Sequence, residues 1–561
     1  MHLCLCVDDI LRLVFRCIED RSTLCALART CRTFKEPAVD LIWETLTAVE
    51  PILQRLPSAR FETETESVQP LVGVRWQYLV LSRPLSDDDW NIIRRLSSRV
   101  RRLNVFFNYT PPRDVMNIGV PNWFGFLASP PDPSFLFPNL RALSIEVPCS
   151  LSSIRAKNVH TETYQAVFRF FRLLIGPHLS ALRFDIPSKF YAHLDISSIP
   201  ALCPNLHMLS VQGFDFQRSE KTMHLLHRAV SEFSRVEIVR SSVPSWHVLS
   251  SLAQANALRR LSVTFPFDLG PGPGHLTGDV FPRLRALEIR ASSIAQCTDL
   301  FRWIPLNQVA EMFICLASHE YRDPLQALVE MSSLVSSQCQ SLDFLWISIS
   351  LNFSTRHVTS TWWRCMLEPY QTCHHLRVIA LQVSSSLTLA DNDLEDMVKA
   401  WPHLEVFHLF PDNSEDPPFQ LTFRGVTALL HHCPELKDFT LMFHATPFQR
   451  VARLSNGKLV RNTSVKRMGV HTSPVSENSD VAEYLSIIMP SLKIIRLTER
   501  AHEASWSWIC AQLPQKPTIQ VNLPPMKLYS LLTGGTESAS DEQIYGREWC
   551  WISPGSKRNR C

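Results

Sequence analysis

The sequence lacks a dominant charge. Fifty-six Lys and Arg stand against 53 Asp and Glu, a formal excess of only +3 in 561 residues. There is no broad basic field of the kind a long nucleic-acid groove needs, so nucleic acid is not an expected partner. Long hydrophobic runs are missing too. Even Phe168 to Ile175 is broken by Arg169 and Arg172, and nothing approaches the ~18 uncharged apolar residues of a spanning helix. No membrane contact is expected. The opening Met1 to Val7 meets Asp8 and Asp9 too early to form the apolar core of a secretion signal. The 16 cysteines are scattered, without the dense spacing of a disulfide scaffold, which predicts reduced thiols and a chain of the cytoplasm or nucleus. The sequons at Asn108, Asn352 and Asn462 are then chance matches.

Signatures of chemistry are equally scarce. His431-His-Cys433, and Cys365 with Cys373-His-His375, come nearest to metal spacing, but neither has a second matching pair, and Cys4 with Cys6 has none either. The prolines of Gly270-Pro-Gly-Pro-Gly274 remove the backbone donors that a phosphate cradle uses, so this stretch reads as a spacer. There is no Gly-x-Ser-x-Gly elbow and no Walker sequence, and His502-Glu503 lacks the second histidine of a metalloprotease helix. Lys557-Arg-Asn-Arg560 reads as a solvated charge cluster. The expectation is a chain with no metal, no cofactor and no catalytic constellation.

What is present is a folding composition: 45% hydrophobic residues, 14 Trp and 31 Phe. From Asp8, which the pattern places as an N-cap, Ile10, Leu11, Val14, Phe15 and Ile18 recur at helical spacing. A second helix opens at Asp20 and carries Leu24, Leu27, Ala28 and Cys31 on one face, with Phe34 and Pro37 marking its end; a third short run extends from Pro37 to Leu46. So small a segment is near the limit of independent stability, which leaves apolar surface for a partner.

These runs, Val7-Asp-Asp-Ile-Leu-Arg-Leu-Val-Phe, Asp20-Arg-Ser-Thr-Leu-Cys-Ala-Leu-Ala-Arg-Thr-Cys-Arg-Thr-Phe and Glu36-Pro-Ala-Val-Asp-Leu-Ile-Trp, resemble the F-box, and in particular fungal F-box proteins, over roughly 45 residues. The resemblance implies docking on a Skp-family adaptor of a cullin-RING ubiquitin ligase, with the remainder of the chain selecting a protein target. The positions that match the docking pattern are Val7, Ile10, Leu11, Val14, Leu24, Leu27, Cys31 and Trp43. One departure stands out: Asp8 occupies the place where the family has a proline, which puts a carboxylate on the docking edge. The other reading of the same helices is that they cover the end of a repeat array.

Between about Arg99 and Leu497 one phrase recurs: apolar, two variable, apolar, one variable, apolar. Ten copies are clear: Leu140/Leu143/Ile145, Leu179/Leu182/Phe184, Leu206/Leu209/Val211, Leu258/Leu261/Val263, Leu284/Leu287/Ile289, Leu342/Leu345/Ile347, Leu376/Ile379/Leu381, Leu404/Phe407/Leu409, Leu436/Phe439/Leu441 and Leu492/Ile495/Leu497. Val100/Leu103/Val105, Val236/Val239, Val309/Met312/Ile314 and Val465/Met468/Val470 are weaker ones. The last two apolar positions point to one face of a strand. Six copies carry a proline two residues earlier, at Pro138, Pro204, Pro282, Pro402, Pro434 and Pro490, where it stops a preceding helix. Amphipathic helices are expected at 165–174, 222–233, 325–335, 394–400, 426–432 and 481–489.

The period, at or slightly above 20–29 residues, resembles that of leucine-rich repeats over roughly 400 residues, and no single unit buries enough apolar surface to stand alone. The predicted fold is α/β: a short all-α F-box at 3–48, a connecting segment at 49–96, an irregular leucine-rich-repeat solenoid at 97–525 with a curved parallel sheet and helices outside, and a tail at 526–561. The Pro- and Gly-rich interruptions at 111–138, 268–278 and 410–418 are the expected places for target contacts, with Trp123 and Phe124 as aromatic anchors. The functional expectation is a ligase substrate receptor; the alternative is a repeat scaffold that does not engage the ligase.

Overall fold

The structure, a computed structural model, describes residues 7–18, 20–65, 75–106, 123–131, 136–146, 161–186, 198–212, 232, 235–242, 246–265, 280–318, 324–351, 364, 366–383, 389–411, 420–445, 460–475, 479–497 and 502–521. Two compact units divide at Leu258 and Arg259.

The first unit begins with three helices: α1 (Asp8–Arg16), α2 (Arg21–Thr30) and α3 (Arg32–Glu44). Asp20, where the second helix was expected to open, caps α2, its carboxylate accepting from the backbone N–H of Ser22 and Thr23. Asp8 does not cap α1. Val7 holds the N-cap position without a side-chain bond, and Asp8, in the first turn, pairs instead with Arg12 at 2.6 Å. Pro37 also differs from expectation. The third helix starts at Arg32, so Pro37 lies within it, buried; the break between helices falls at Cys31, whose extended φ of −155° interrupts the helical run. The helix then ends at Glu44, and Thr45–Leu46 form a short strand, β1, where a helical end was predicted.

After β1 comes an antiparallel hairpin, β2 (Ala59–Thr65) and β3 (Arg75–Leu81), which the repeat phrase gave no reason to expect. The parallel strands follow: β4 (Arg102–Phe106), β5 (Ala142–Glu146), β6 (Ala181–Asp185), β7 (Met208–Gln212) and β8 (Ile238–Ser242). They stand in chain order, β1-β4-β5-β6-β7-β8, every pair parallel. The second unit repeats this arrangement with β9 (Arg260–Thr264), β10 (Ala286–Ala291), β11 (Glu311–Ser318), β12 (Phe344–Leu351), β13 (Val378–Val383), β14 (Val406–Pro411), β15 (Asp438–Thr440), β16 (Arg467–Gly469), β17 (Ile494–Leu497) and β18 (Thr518–Val521). Both units are α/β stacks of leucine-rich repeats.

The repeat phrase sets the register. Leu103, Leu143, Leu182, Leu209 and Val239 lie side by side in the first unit, and Leu261, Leu287, Met312, Leu345 and Ile379 in the second. All are buried. A one-residue slip would turn the whole column to the other face, which is why so loose a period still specifies one alignment. Helices at 161–174, 324–338, 391–398, 423–432 and 479–488 fall where amphipathic stretches were expected; 222–233 lies outside the described residues apart from residue 232. The leucine columns lie buried on one face of each unit's sheet.

The Pro turns have a common geometry. At all six, the Leu N–H donates to the carbonyl three residues back, for instance Leu206 to Cys203 at 3.1 Å and Leu436 to Cys433 at 3.2 Å, which puts proline at the second position of a β-turn, where its fixed φ fits. The residue before each proline faces inward. Cys203 donates its thiol to Gly176 O at 3.4 Å, and Cys433 to Trp401 O at 3.5 Å, in each case the equivalent residue of the preceding unit; Cys373 donates likewise to Cys339 O at 3.6 Å. Asn462 does a similar task with its amide, donating to Cys433 O at 3.0 Å and Leu430 O at 3.4 Å from a buried position.

Candidate functional site

Two faces carry residues that the leucine column does not account for, the first exposed and the second buried. The first is the outer face of α1. Leu11 and Phe15 point into a small core with Leu24 and Ala38, against which Ile18, Leu27, Phe34, Leu41 and Ile42 pack; Phe15 and Phe34 meet edge to face, centroids 5.4 Å apart. One turn round the helix, Val7 is 46% exposed, Ile10 37%, Leu13 61% and Val14 48%. Only Phe61 joins them as an exposed large hydrophobic residue among those described. Positions 7, 10, 13 and 14 share a helical face, so the four side chains form one apolar strip.

This sorts the residues matched to the docking pattern. Val7, Ile10 and Val14 lie in the strip; Leu27, Cys31 and Trp43 are half-buried; Leu11 and Leu24, 0% and 6% exposed, lie in the core of the three helices and are corrected to a structural role, because side chains so enclosed have little surface left for a partner. Leu13, which the pattern passed over, is the most exposed of the strip. The helices are also joined to the sheet: β1 pairs with β4, Arg101 N–H donates to Glu44 O at 2.9 Å, and Asp40 of α3 is held between Arg12, at 2.7 Å, and Arg99, which also reaches Glu36 at 2.7 Å.

The anchors expected at the Pro-rich interruption are corrected as well. Trp123 and Phe124 are 2% and 3% exposed, stacked with centroids 3.8 Å apart, and Phe170 meets both edge to face at 5.9 and 5.3 Å. They start a short helix, Trp123–Leu127, that packs on the helix Thr161–Leu174. Their aromaticity serves the core. The interruption at 268–278 and residues 412–418 of the acidic one lie outside the described residues.

The second surface is the face of the second unit's sheet opposite the leucine column. Alternation puts Phe313, Trp346, Ala380, His408, Thr440, Gly469 and Arg496 in one register row across β11 to β17. Phe313, Trp346 and Ala380 form a separate apolar cluster with Phe344 packed against it, the rings of Phe313 and Phe344 4.5 Å apart. Beside it stands a buried polar group. His408 Nδ1 shares a 2.7 Å hydrogen bond with Thr440 Oγ1, and its Nε2 lies 3.7 Å from Asp438. Asp438 receives Arg467 at 2.6 Å and also pairs with buried Arg496. Burial lowers the His408 pKa to about 3 against the pull of Asp438, with Arg496 and Arg467 adding to the depression; burial alone lowers His471 to about 4. His408 is therefore a neutral spacer, and the single carboxylate of Asp438 is shared by two guanidiniums.

Sequence reasoning missed this face. Its signal was available: the variable residue between the last two apolar positions of each phrase must point away from the leucine column, so Phe313, Trp346 and His408 there were anomalies for a solvent-facing row.

Cys4, Cys6 and Cys365 lie outside the described residues. Among the described residues no group of three or more His, Cys, Asp or Glu could hold a metal ion; Cys433 and Cys373 are buried, and burial pushes the Cys433 thiol up to about 12. Among the same residues no helix is long and apolar enough to cross a membrane.

No protein-family profile matches the sequence, and no curated protein does. Solved structures do match, among them the crystal structure of the mouse RP105/MD-1 complex, at 13% identity over 79% of this chain and 66% of that chain, with a TM-score of 0.34. The match spans less than two thirds of that chain, and at such distance nothing about this chain follows from it.

Proposed function

We propose that this chain is a protein-binding repeat scaffold whose α1 strip docks on the Skp-family adaptor of a cullin-RING ligase, so that the repeats hold a protein target for ubiquitin transfer on other subunits. The observation that carries the docking reading is the strip itself: Val7, Ile10, Leu13 and Val14 stay exposed while Leu11 and Phe15 of the same helix are buried. A contiguous apolar strip on an otherwise satisfied helix needs a covering partner. The F-box-like sequence of α1 to α3 supports a Skp-family adaptor as that partner. Asp8 is paired with Arg12 at 2.6 Å, which offsets part of its charge. Holding a target near a charged conjugating enzyme raises effective concentration without local chemistry.

The second reading, a scaffold that does not engage the ligase, draws on the pairing of β1 with β4, which suits three helices that cover the first repeat. Val14→Asp separates the two. The residue is half-exposed, so the variant keeps its core and places a charge where an apolar partner would sit. Docking predicts that the wild-type chain co-purifies with the adaptor and that Val14→Asp loses at least tenfold in affinity with an unchanged Tm. Equal retention by both, or by neither, leaves the second reading.

A further inference from the structure

The N-terminal edge of the second unit's sheet is a row of charged residues, and the middle of it is neutralised in pairs. Arg377 binds Glu405 and lies 3.9 Å from Asp343, and Lys437 reaches the same Glu405 at 2.5 Å. At the start of the row the pattern fails. Arg259, Arg283, Arg285 and Gln308 line one cleft of about 340 Å³, and none of the three arginines has an ion pair or a side-chain hydrogen bond among the described residues.

The backbone holds these arginines close together. Arg260 and Ala286 are register partners on β9 and β10, so Arg259 and Arg285, one residue earlier, are neighbours across the ladder, and Arg285 N–H donates to Arg259 O at 2.8 Å. Adjacent strands run about 4.8 Å apart, and like charges so placed repel. Arg283 joins them from the turn that follows Phe281, whose positive φ of 50° marks a sharp change of direction. Two carboxylates on β10 and β11 are engaged with other arginines: Glu311 with Arg260 at 2.5 Å, and Glu288 with Arg290 at 2.9 Å. All four lining residues are exposed, so the repulsion is not relieved by burial against an acid.

We propose that this cleft is a binding site for a dianionic phosphate group. Three guanidiniums offer planar, forked donors that match a phosphate's oxygens in pairs, which a compact ammonium does not, and the Gln308 amide adds a neutral donor for a fourth contact. The site is a separate matter from the docking of α1: it uses no residue of the first unit.

The phosphate could be carried on a protein segment or be free, and two probes on the full-length chain distinguish the sources. One is inorganic phosphate followed by 31P line broadening; the other is a fluorescent phosphoserine peptide followed by anisotropy, with the unphosphorylated peptide as control. Saturable binding of both probes, lost at least tenfold in Arg285→Gln and in Arg259→Gln, is the expected result. A peptide bound more than tenfold tighter than inorganic phosphate identifies a phosphorylated protein segment as the source; equal affinity identifies a free phosphate compound. Arg285→Lys keeps the charge and loses the fork, so it too weakens binding. Binding that survives Arg285→Gln and Arg259→Gln, binding equally tight in Arg285→Lys, or no saturable binding of either probe overturns the proposal.

Discussion

The buried histidine of the second unit gives a stability that depends on pH in one direction. In the unfolded chain His408 takes a proton near its ordinary pKa of 6.5, whereas in the fold burial holds it neutral down to about 3. Its contribution is therefore complete above the unfolded pKa and is lost progressively as pH falls from about 6.5 toward 3. Between pH 7.5 and 5.5 one such group loses about 1.4 kcal/mol. The perturbation is His408→Gln, which keeps a polar partner for Thr440 and cannot titrate. An array of this length need not unfold in one step, so the assay is hydrogen exchange of strand Val406–Pro411, corrected for intrinsic rates, which reads local opening free energy. Wild type should lose about 1.4 kcal/mol more than the variant over that interval; His471, also lowered by burial, contributes to both chains alike and cancels. An identical pH slope in the two chains refutes the account of His408 as a neutral, buried spacer.

Other outcomes follow from the packing. Trp123→Ala should cost about 3–5 kcal/mol, read as a large fall in Tm, because it empties a stacked aromatic site in the core; a variant of native Tm would put Trp123 back on the surface. Gly469→Ala should cost about 1–3 kcal/mol, since a Cβ there would stand 2.4 Å from Thr440 Oγ1, and Thr440→Ala in the same chain should recover part of the loss in a denaturant titration. In native protein at pH 8 a maleimide should label exposed Cys17 and Cys25 long before Cys203 and Cys433, whose thiols burial raises to about 12; mass spectrometry of the labelled peptides shows the order.

Much of the fold was legible in the chain itself, for reasons that particular residues make plain. The spacing Leu-x-Ile in Leu143-Ser-Ile145 commits two side chains to one face and one to the other, whatever surrounds it, so the strands β4 to β17 and their register column could be read directly. Asp20 before Arg-Ser-Thr carries its own capping chemistry. The hairpin β2–β3 follows a different pattern, and the repeat phrase could not reveal it. Pro37 misled, because an interior proline ordinarily stops a helix, yet α3 runs through it from Arg32 to Glu44, and the true break at Cys31 has no such marker. Trp123 and Phe124 misled for another reason: a Pro-rich setting says that a segment is irregular, not which way its side chains point.

The sequence by itself determined the α/β repeat, the inward leucine column and the position of the Pro turns, since all three depend on local spacing and on the fixed geometry of strand and proline. Only the tertiary structure decided which side chains of α1 remain outside, how Asp438 comes to serve two arginines beside a neutral histidine, and why three arginines share a cleft. These depend on residues tens of positions apart being brought onto neighbouring strands, and the energy of a charge or an apolar surface is set by those neighbours rather than by its own place in the chain.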